Sequence, residues 1–223
     1  MLVNGCEMSR KTNRATCAMS RHRKAGIIAL CLCVGVVLIR LDHGRPNRWK
    51  RPKNEEQARA HDLEKYHRKT FKVVKVIDGD TLDIDIPDAN HNYTRIRLWG
   101  VDSPETKSRY SSVMYFGPEA AEFAEKTALG KQATIYLEEH DTRGKYGRLL
   151  AYVQLPDVGF LNEALISEGF AYTDLRFRHS LYQKYKQLES SARRQQKGLW
   201  KEVTREQLPE WLKRMEPELL SRK

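Results

Sequence analysis

Residues 71 to 98 read FKVVKVIDGDTLDIDIPDANHNYTRIRL, and the period of this stretch decides the fold. Val74 and Val76 sit two apart; Leu82, Ile84 and Ile86 then alternate with Asp83 and Asp85, and Ile96 and Leu98 alternate with Arg95 and Arg97. Successive strand residues point to opposite faces, so this is the pattern of antiparallel strands buried on one side. Asp78-Gly79-Asp80-Thr81 breaks the first run with turn chemistry: Gly79 permits a positive φ and Asp78 can bond its neighbouring backbone. Pro87 to Asn92 supplies the next connection.

Downstream, helical spacing takes over in places. From Pro118 to Leu129, Ala, Phe and Leu recur at helical spacing with Glu119, Glu122 and Glu125 turned outward; Pro118 suits a first helical turn and Gly130 ends the run. Ala133 to Leu137 and Leu149 to Leu155 read as strands on either side of a charged turn, His140 to Gly147. Helices follow over Leu161 to Glu168 and Leu181 to Gln196, closed by Gly169 and Gly198. These elements predict an α+β fold, a five-stranded OB-type β-barrel with three helices over residues 70–200. Residues 201–223 form a C-terminal extension. Trp211, Leu212, Leu219 and Leu220 there suggest one more amphipathic helix, shortened by Pro209 and Pro217, to which the sequence attaches no function.

With 223 residues the chain has room for one ordinary domain and a tail. Its formal charge of +11 is unevenly placed: residues 1–69 carry 16 Lys+Arg against 6 Asp+Glu, and residues 70–223 carry 24 against 23. The folded part is therefore nearly neutral, and a claim on nucleic acid must rest on local sites rather than bulk basicity. Upstream, Ala25 to Ile39 is uncharged and apolar, flanked by Arg21, Arg23, Lys24 and Arg40. Such a run reaches about 22 Å at ~1.5 Å per residue, short of the ~30 Å hydrocarbon core, which suits a signal-peptide core. No small-x-small cleavage pair follows it, and snorkelling of Lys24 and Arg40 would extend it to a short anchor. We read 1–24 as a basic tail, 25–40 as the signal-anchor or signal-peptide segment, and 41–69 as a polar linker, partly helical. The expectation is a protein held at a membrane through this segment, or secreted if the segment is cleaved. The four cysteines, Cys6, Cys17, Cys31 and Cys33, precede the folded part, form no C-x-x-C pair, and exclude a disulfide-stapled scaffold.

Chemistry gathers in two places. Asp80 sits in the glycine turn; Asp102 and Glu105 sit in Val101-Asp102-Ser103-Pro104-Glu105-Thr106, directly after an alternating strand. Carboxylates and backbone carbonyls are the ligands of Ca²⁺ and Mg²⁺. Arg97 precedes Asp102 on the strand, and Arg148 follows Lys145-Tyr146-Gly147 in a separate turn. Guanidinium forks match phosphate oxygens and can neutralise charge on a phosphoryl group under attack. Taken singly, each has a plainer meaning: a hairpin turn, a strand end, a solvent-facing charge. Their joint order points to phosphodiester chemistry.

Those residues resemble the staphylococcal nuclease (thermonuclease) family. The resemblance runs from about Phe71 to Trp200 and rests on Val-Ile-Asp-Gly-Asp-Thr at 76–81, Arg-Leu-Trp-Gly-Val-Asp-Ser-Pro-Glu-Thr at 97–106, Gly-Pro-Glu-Ala at 117–120 and Asp-Thr-Arg-Gly-Lys-Tyr-Gly-Arg at 141–148. Asn-Glu-Ala-Leu at 162–165, Gly169 and Gly-Leu-Trp at 198–200 extend it. The resemblance implies Ca²⁺-dependent cleavage of DNA and RNA, leaving 3′-phosphates; little sequence preference is expected because the recognised atoms are phosphates, and the protein is expected to be monomeric. It further implies that Asp80, Asp102 and the backbone carbonyl of Ser103 hold the metal, that Glu105 orients or deprotonates the attacking water, and that Arg97 and Arg148 bind the phosphate. Lys145 and Tyr146 match positions lining the nucleotide pocket. Leu175 and Phe177 stand where the family places an aromatic pair, and Ser103 where it usually has Thr. The rival reading is a noncatalytic OB-type module that binds nucleic acid or protein.

Overall fold

The computed structural model describes residues 53–106 and 113–220. The apolar run at 25–39 lies outside the described residues; among those described, no helix is long and apolar enough to cross a membrane.

Strands β1 (Lys69–Asp78), β2 (Thr81–Ile84) and β3 (Thr94–Leu98) form an antiparallel meander. The first is long enough to serve two neighbours. Its beginning pairs with β5 (Gln132–Tyr136), Lys69 opposite Ile135 and Lys72 opposite Gln132, and its end pairs with β2, Val73 opposite Ile84 and Val76 opposite Leu82. A register shift between Val73 and Lys75 marks the change of partner. An extra residue on one strand reverses the phase of alternation. This corrects the reading of Val74 as the inward residue: Val73 is fully buried, whereas Val74 is 45% exposed.

Strand β6 (Leu149–Leu155) runs antiparallel to β5 and closes the sheet by pairing parallel with β3, Ile96 opposite Leu149 and Leu98 opposite Ala151. The result is the expected five-stranded barrel, in the order β3-β2-β1-β5-β6, with the short β7 (Gly159–Phe160) on the far side of β6. Two-residue strands β4 (Val101–Asp102) and β8 (Tyr172–Thr173) pair separately. Val73, Ile84, Ile96, Leu98, Ile135 and Leu149 are among the side chains buried in the barrel cluster. Asp83, read from the alternation as an outward residue, is also buried, because Arg95 takes both its oxygens at 2.8 and 2.9 Å.

Three helices fall where the sequence places them: α2 (Gly117–Ala128), α3 (Leu161–Ser167) and α4 (Tyr182–Arg194). Ala120, Ala124 and Ala128, each four apart, form the buried face of α2. On α3 the fully buried Asn162 accepts from Val153 N–H at 3.0 Å and donates to the carbonyls of Trp99 at 3.1 Å and Ala151 at 3.2 Å. It thus ties the end of β3 to β6 through α3, alongside the Trp99 N–H that donates to the Ala151 carbonyl at 2.8 Å.

Two further α-helices were not counted in the expected three. Helix α1 (Lys53–Tyr66) lies in the stretch read as a linker, yet its last turn belongs to the domain. Tyr66 and Asp62 are buried, and the Tyr66 hydroxyl lies 3.1 Å from that of Thr94 on β3. Helix α5 (Glu210–Met215) follows directly on Pro209 and stops before Pro217. Trp211 and Leu212 on α5 join Tyr172, Leu199, Trp200 and Leu208 in a second apolar cluster beside the barrel.

Candidate active site

The antiparallel register sets Thr81 opposite Arg97, so the guanidinium of Arg97 lies beside Asp80 in the preceding turn. Asp80 is 1% exposed and both its carboxylate oxygens are engaged. Oδ1 accepts from the Thr81 hydroxyl at 3.0 Å and pairs with Arg97 Nη1; Oδ2 accepts the Ser103 N–H at 2.7 Å. Arg97 Nη2 reaches Asp102 Oδ1 at 2.5 Å. One guanidinium therefore bridges the two carboxylates, and Arg97 is not the solvent-facing charge that strand alternation alone would make it.

Gly79 contributes by lacking a side chain rather than by the positive φ expected of it; its φ is not among the positive ones. A Cβ there would fall 2.7 Å from Ser103 Cβ and 2.9 Å from Ser103 Oγ. That close approach lets the Ser103 N–H reach Asp80. Gly117 acts similarly at the start of α2, where a Cβ would meet the Glu105 carbonyl oxygen at 2.6 Å. The same carbonyl accepts the Met114 N–H at 3.0 Å, so the backbone of Glu105 is held from two sides.

Glu105 lies exposed at the rim. Partial desolvation, then repulsion from Asp78 and Asp102, raises its pKa above the ordinary carboxylate value against the pull of Arg97 and Arg148. Arg148 stands across the site. Desolvation and the like charge of Arg97 lower its pKa, and its Nε–H is buried with no acceptor among the described residues. A buried guanidinium N–H without a partner, close to a second guanidinium, is a place where an anion lowers the energy of both. Lys145 and Tyr146 are exposed beside it, Tyr146 at 75%, with Lys145 Nζ 5.6 Å from the Tyr146 ring centre. Arg97, Lys145, Tyr146, Arg148, Arg176 and Phe177 border one cleft of about 430 Å³. Phe177 is half exposed there, 6.0 Å from the Trp99 ring, whereas Leu175 is buried in the second apolar cluster.

The chemistry of the donors suits a hard divalent cation. Asp80 and Asp102 are close enough to share Arg97, and both they and the Ser103 carbonyl offer oxygen only. Among the described residues no cluster of three or more His, Cys, Asp or Glu side chains is arranged to hold a metal. With so few protein ligands, the remaining positions around such a cation would fall to water and substrate.

Residues 95–202 match the family described as Staphylococcal nuclease homologue. The thermonuclease of Staphylococcus hyicus is 32% identical over 139 residues, 62% of this chain and 79% of the relative. The chain belongs to the staphylococcal nuclease family. The thermonuclease of Staphylococcus intermedius is 33% identical over 132 residues, 59% of this chain and 76% of its own. An uncharacterized endonuclease of Escherichia coli O157:H7 is 30% identical over 147 residues, 63% and 82% of the two chains.

Within this staphylococcal nuclease domain three residues near the acids escaped the sequence reading. Asp78 plays the expected turn role, accepting the Asp80 N–H at 3.1 Å. It also faces Arg97 and Arg148, and burial raises its pKa. A second acid in the Asp-Gly-Asp turn was signal enough to find it. Arg176 and Trp211 both donate to Asp102, at 3.0 and 2.8 Å. Neither carries a motif, and Trp211 lies beyond the matched residues.

Proposed function

We propose that this protein is a calcium-dependent nuclease that hydrolyses phosphodiester bonds of DNA, RNA or both with little sequence preference, leaving 3′-phosphate ends. The observation that carries the reading is the pairing of Arg97, which bridges Asp80 and Asp102, with Arg148, whose buried Nε–H lacks an acceptor among the described residues. Asp80, Asp102 and the Ser103 carbonyl would hold the Ca²⁺, which when bound polarises a phosphate oxygen and offsets negative charge on it.

The side chains divide the remaining work. Glu105 accepts a proton from water as that oxygen bonds to phosphorus, and its raised pKa suits a base. Arg97 and Arg148 donate to the equatorial oxygens as charge builds there. The P–O5′ bond breaks, the 5′ oxygen takes a proton from solvent, and the phosphate stays on the 3′ side. Lys145, Tyr146 and Phe177 border the space for the adjoining nucleotide. Because the recognised atoms are phosphate oxygens, sequence preference is weak. The reading also places the protein at a membrane through residues 25–40, which is supported by their apolar composition and flanking charge.

The test is digestion of single-stranded DNA and RNA by the full chain with Ca²⁺ and with excess chelator. Activity is expected only with the metal, and Arg148→Ala should lose roughly 10²- to 10³-fold in kcat. Cleavage that persists in chelator, or an undiminished Arg148→Ala variant, would defeat the proposal.

A further inference from the structure

Asp102 is held by three donors from three parts of the chain. Oδ1 accepts from Arg97 at 2.5 Å and from Arg176 at 3.0 Å; Oδ2 accepts the indole N–H of Trp211 at 2.8 Å. An ionised carboxylate has about four acceptor positions. Three are thus committed, and the plane of the carboxylate is fixed.

The third donor is the least expected, since Trp211 stands 109 residues further along, on α5. It is also firmly seated. Trp211 is 8% exposed, packs edge-on against Tyr172 at 6.5 Å and 87°, and lies under the Arg176 guanidinium at 4.6 Å from the ring centre. Arg176 is itself gripped by Asp174, through Nε at 2.8 Å and Nη2 at 2.8 Å. Asp174 therefore shares the charge of Arg176, and the indole is a neutral donor. Together they orient Asp102 with less added positive charge than a second free guanidinium beside Arg97 would bring.

We infer that Trp211, backed by Arg176, is a positioning residue for the metal-binding carboxylate Asp102, so that the C-terminal extension completes the site. The inference rests on the proposed reading of Asp102 as a metal ligand. Groups that hydrogen-bond metal ligands typically govern metal affinity by about 10- to 100-fold.

The experiment is calorimetric titration of the full chain with Ca²⁺ alone, without nucleic acid, alongside thermal unfolding in chelator. Trp211→Phe keeps the ring and removes only the N–H. It should bind Ca²⁺ about 10- to 100-fold more weakly than wild type while its unfolding midpoint in chelator stays unchanged, and Trp211→His, which restores a ring N–H, should recover part of the affinity. Arg176→Gln gives a second route to the same loss should Trp211→Phe fail to fold. A folded Trp211→Phe variant with wild-type Ca²⁺ affinity, when Asp102→Asn has lost binding, would overturn the inference and leave the reading of Asp102 standing. Absence of Ca²⁺ binding by wild type, or full binding by Asp102→Asn, would overturn that reading and the inference with it.

Discussion

Glu105 shows how one carboxyl is prepared by its neighbours. Desolvation and the charges of Asp78 and Asp102 raise its pKa, and Arg97 and Arg148 limit the rise. On the proposed reading of Glu105 as the acceptor of the water's proton, kcat/KM should increase with pH as this carboxyl ionises. Glu105→Gln should flatten the acid side of the pH profile while lowering the rate about 10²- to 10⁴-fold. A pH–rate series on both proteins checks this. Most of the site was legible at this scale because turns and strand ends announce themselves in sequence. Asp80 and Arg97 lie together because the β2–β3 hairpin fixes which residues face each other, and Asp102 follows Arg97 closely enough in the chain to reach it. The inward placement of Val73 was hidden, because a bulge shifts the alternation and leaves no mark in composition.

At the scale of elements, α1 is the clearest lesson. Its sequence, KNEEQARAHDLEKY, carries only Leu63 and Tyr66 as large apolar residues, too few for a periodic stripe, so it reads as a tether. Its hold on the domain is apolar at Tyr66 and Leu63 and polar at Asp62. Asp62 accepts from the Thr142 hydroxyl at 2.9 Å and from Arg143 through Nε at 2.9 Å and Nη2 at 2.7 Å. Arg143 also pairs with Asp88 and donates to the Gly147 carbonyl at 3.0 Å, and these acidic partners push its pKa up. The turn bearing Lys145, Tyr146 and Arg148 is thus pinned from α1. Asp62→Ala removes one side of a largely buried pair and should cost roughly 3 kcal/mol, measurable by denaturant unfolding. It should also lower kcat as well as raise KM, because the loosened turn carries Arg148 together with Lys145 and Tyr146 at the cleft.

For the molecule as a whole, the barrel is joined by a second apolar cluster around Trp200, Trp211 and Leu212. Beside this cluster lies an acid network: Glu189 pairs with Arg193 at 3.0 Å, and Arg193 with Glu216 at 2.6 Å. Burial raises the Glu189 pKa from 4.5 to about 7, with Arg193 opposing the shift. A carboxyl whose pKa is higher in the folded chain binds its proton more tightly there. Its contribution to stability is full below pH 4.5 and is lost as pH rises through about 7. Glu189→Gln should flatten this fall, as seen by unfolding midpoints taken across that range. The cluster was not legible in advance, because Pro209 and Pro217 interrupt the helical period and the partners of Trp211 lie far off in sequence.

The barrel is sealed by β3 lying parallel to β6, Arg97 opposite Leu150, two residues from Arg148. A parallel join cannot zip up from a tight turn; it must wait until distant stretches of polypeptide find each other, and so it forms late. A chain that ends before β6 therefore has no sealed wall, and β3, which carries Arg97, lacks its neighbour on that side.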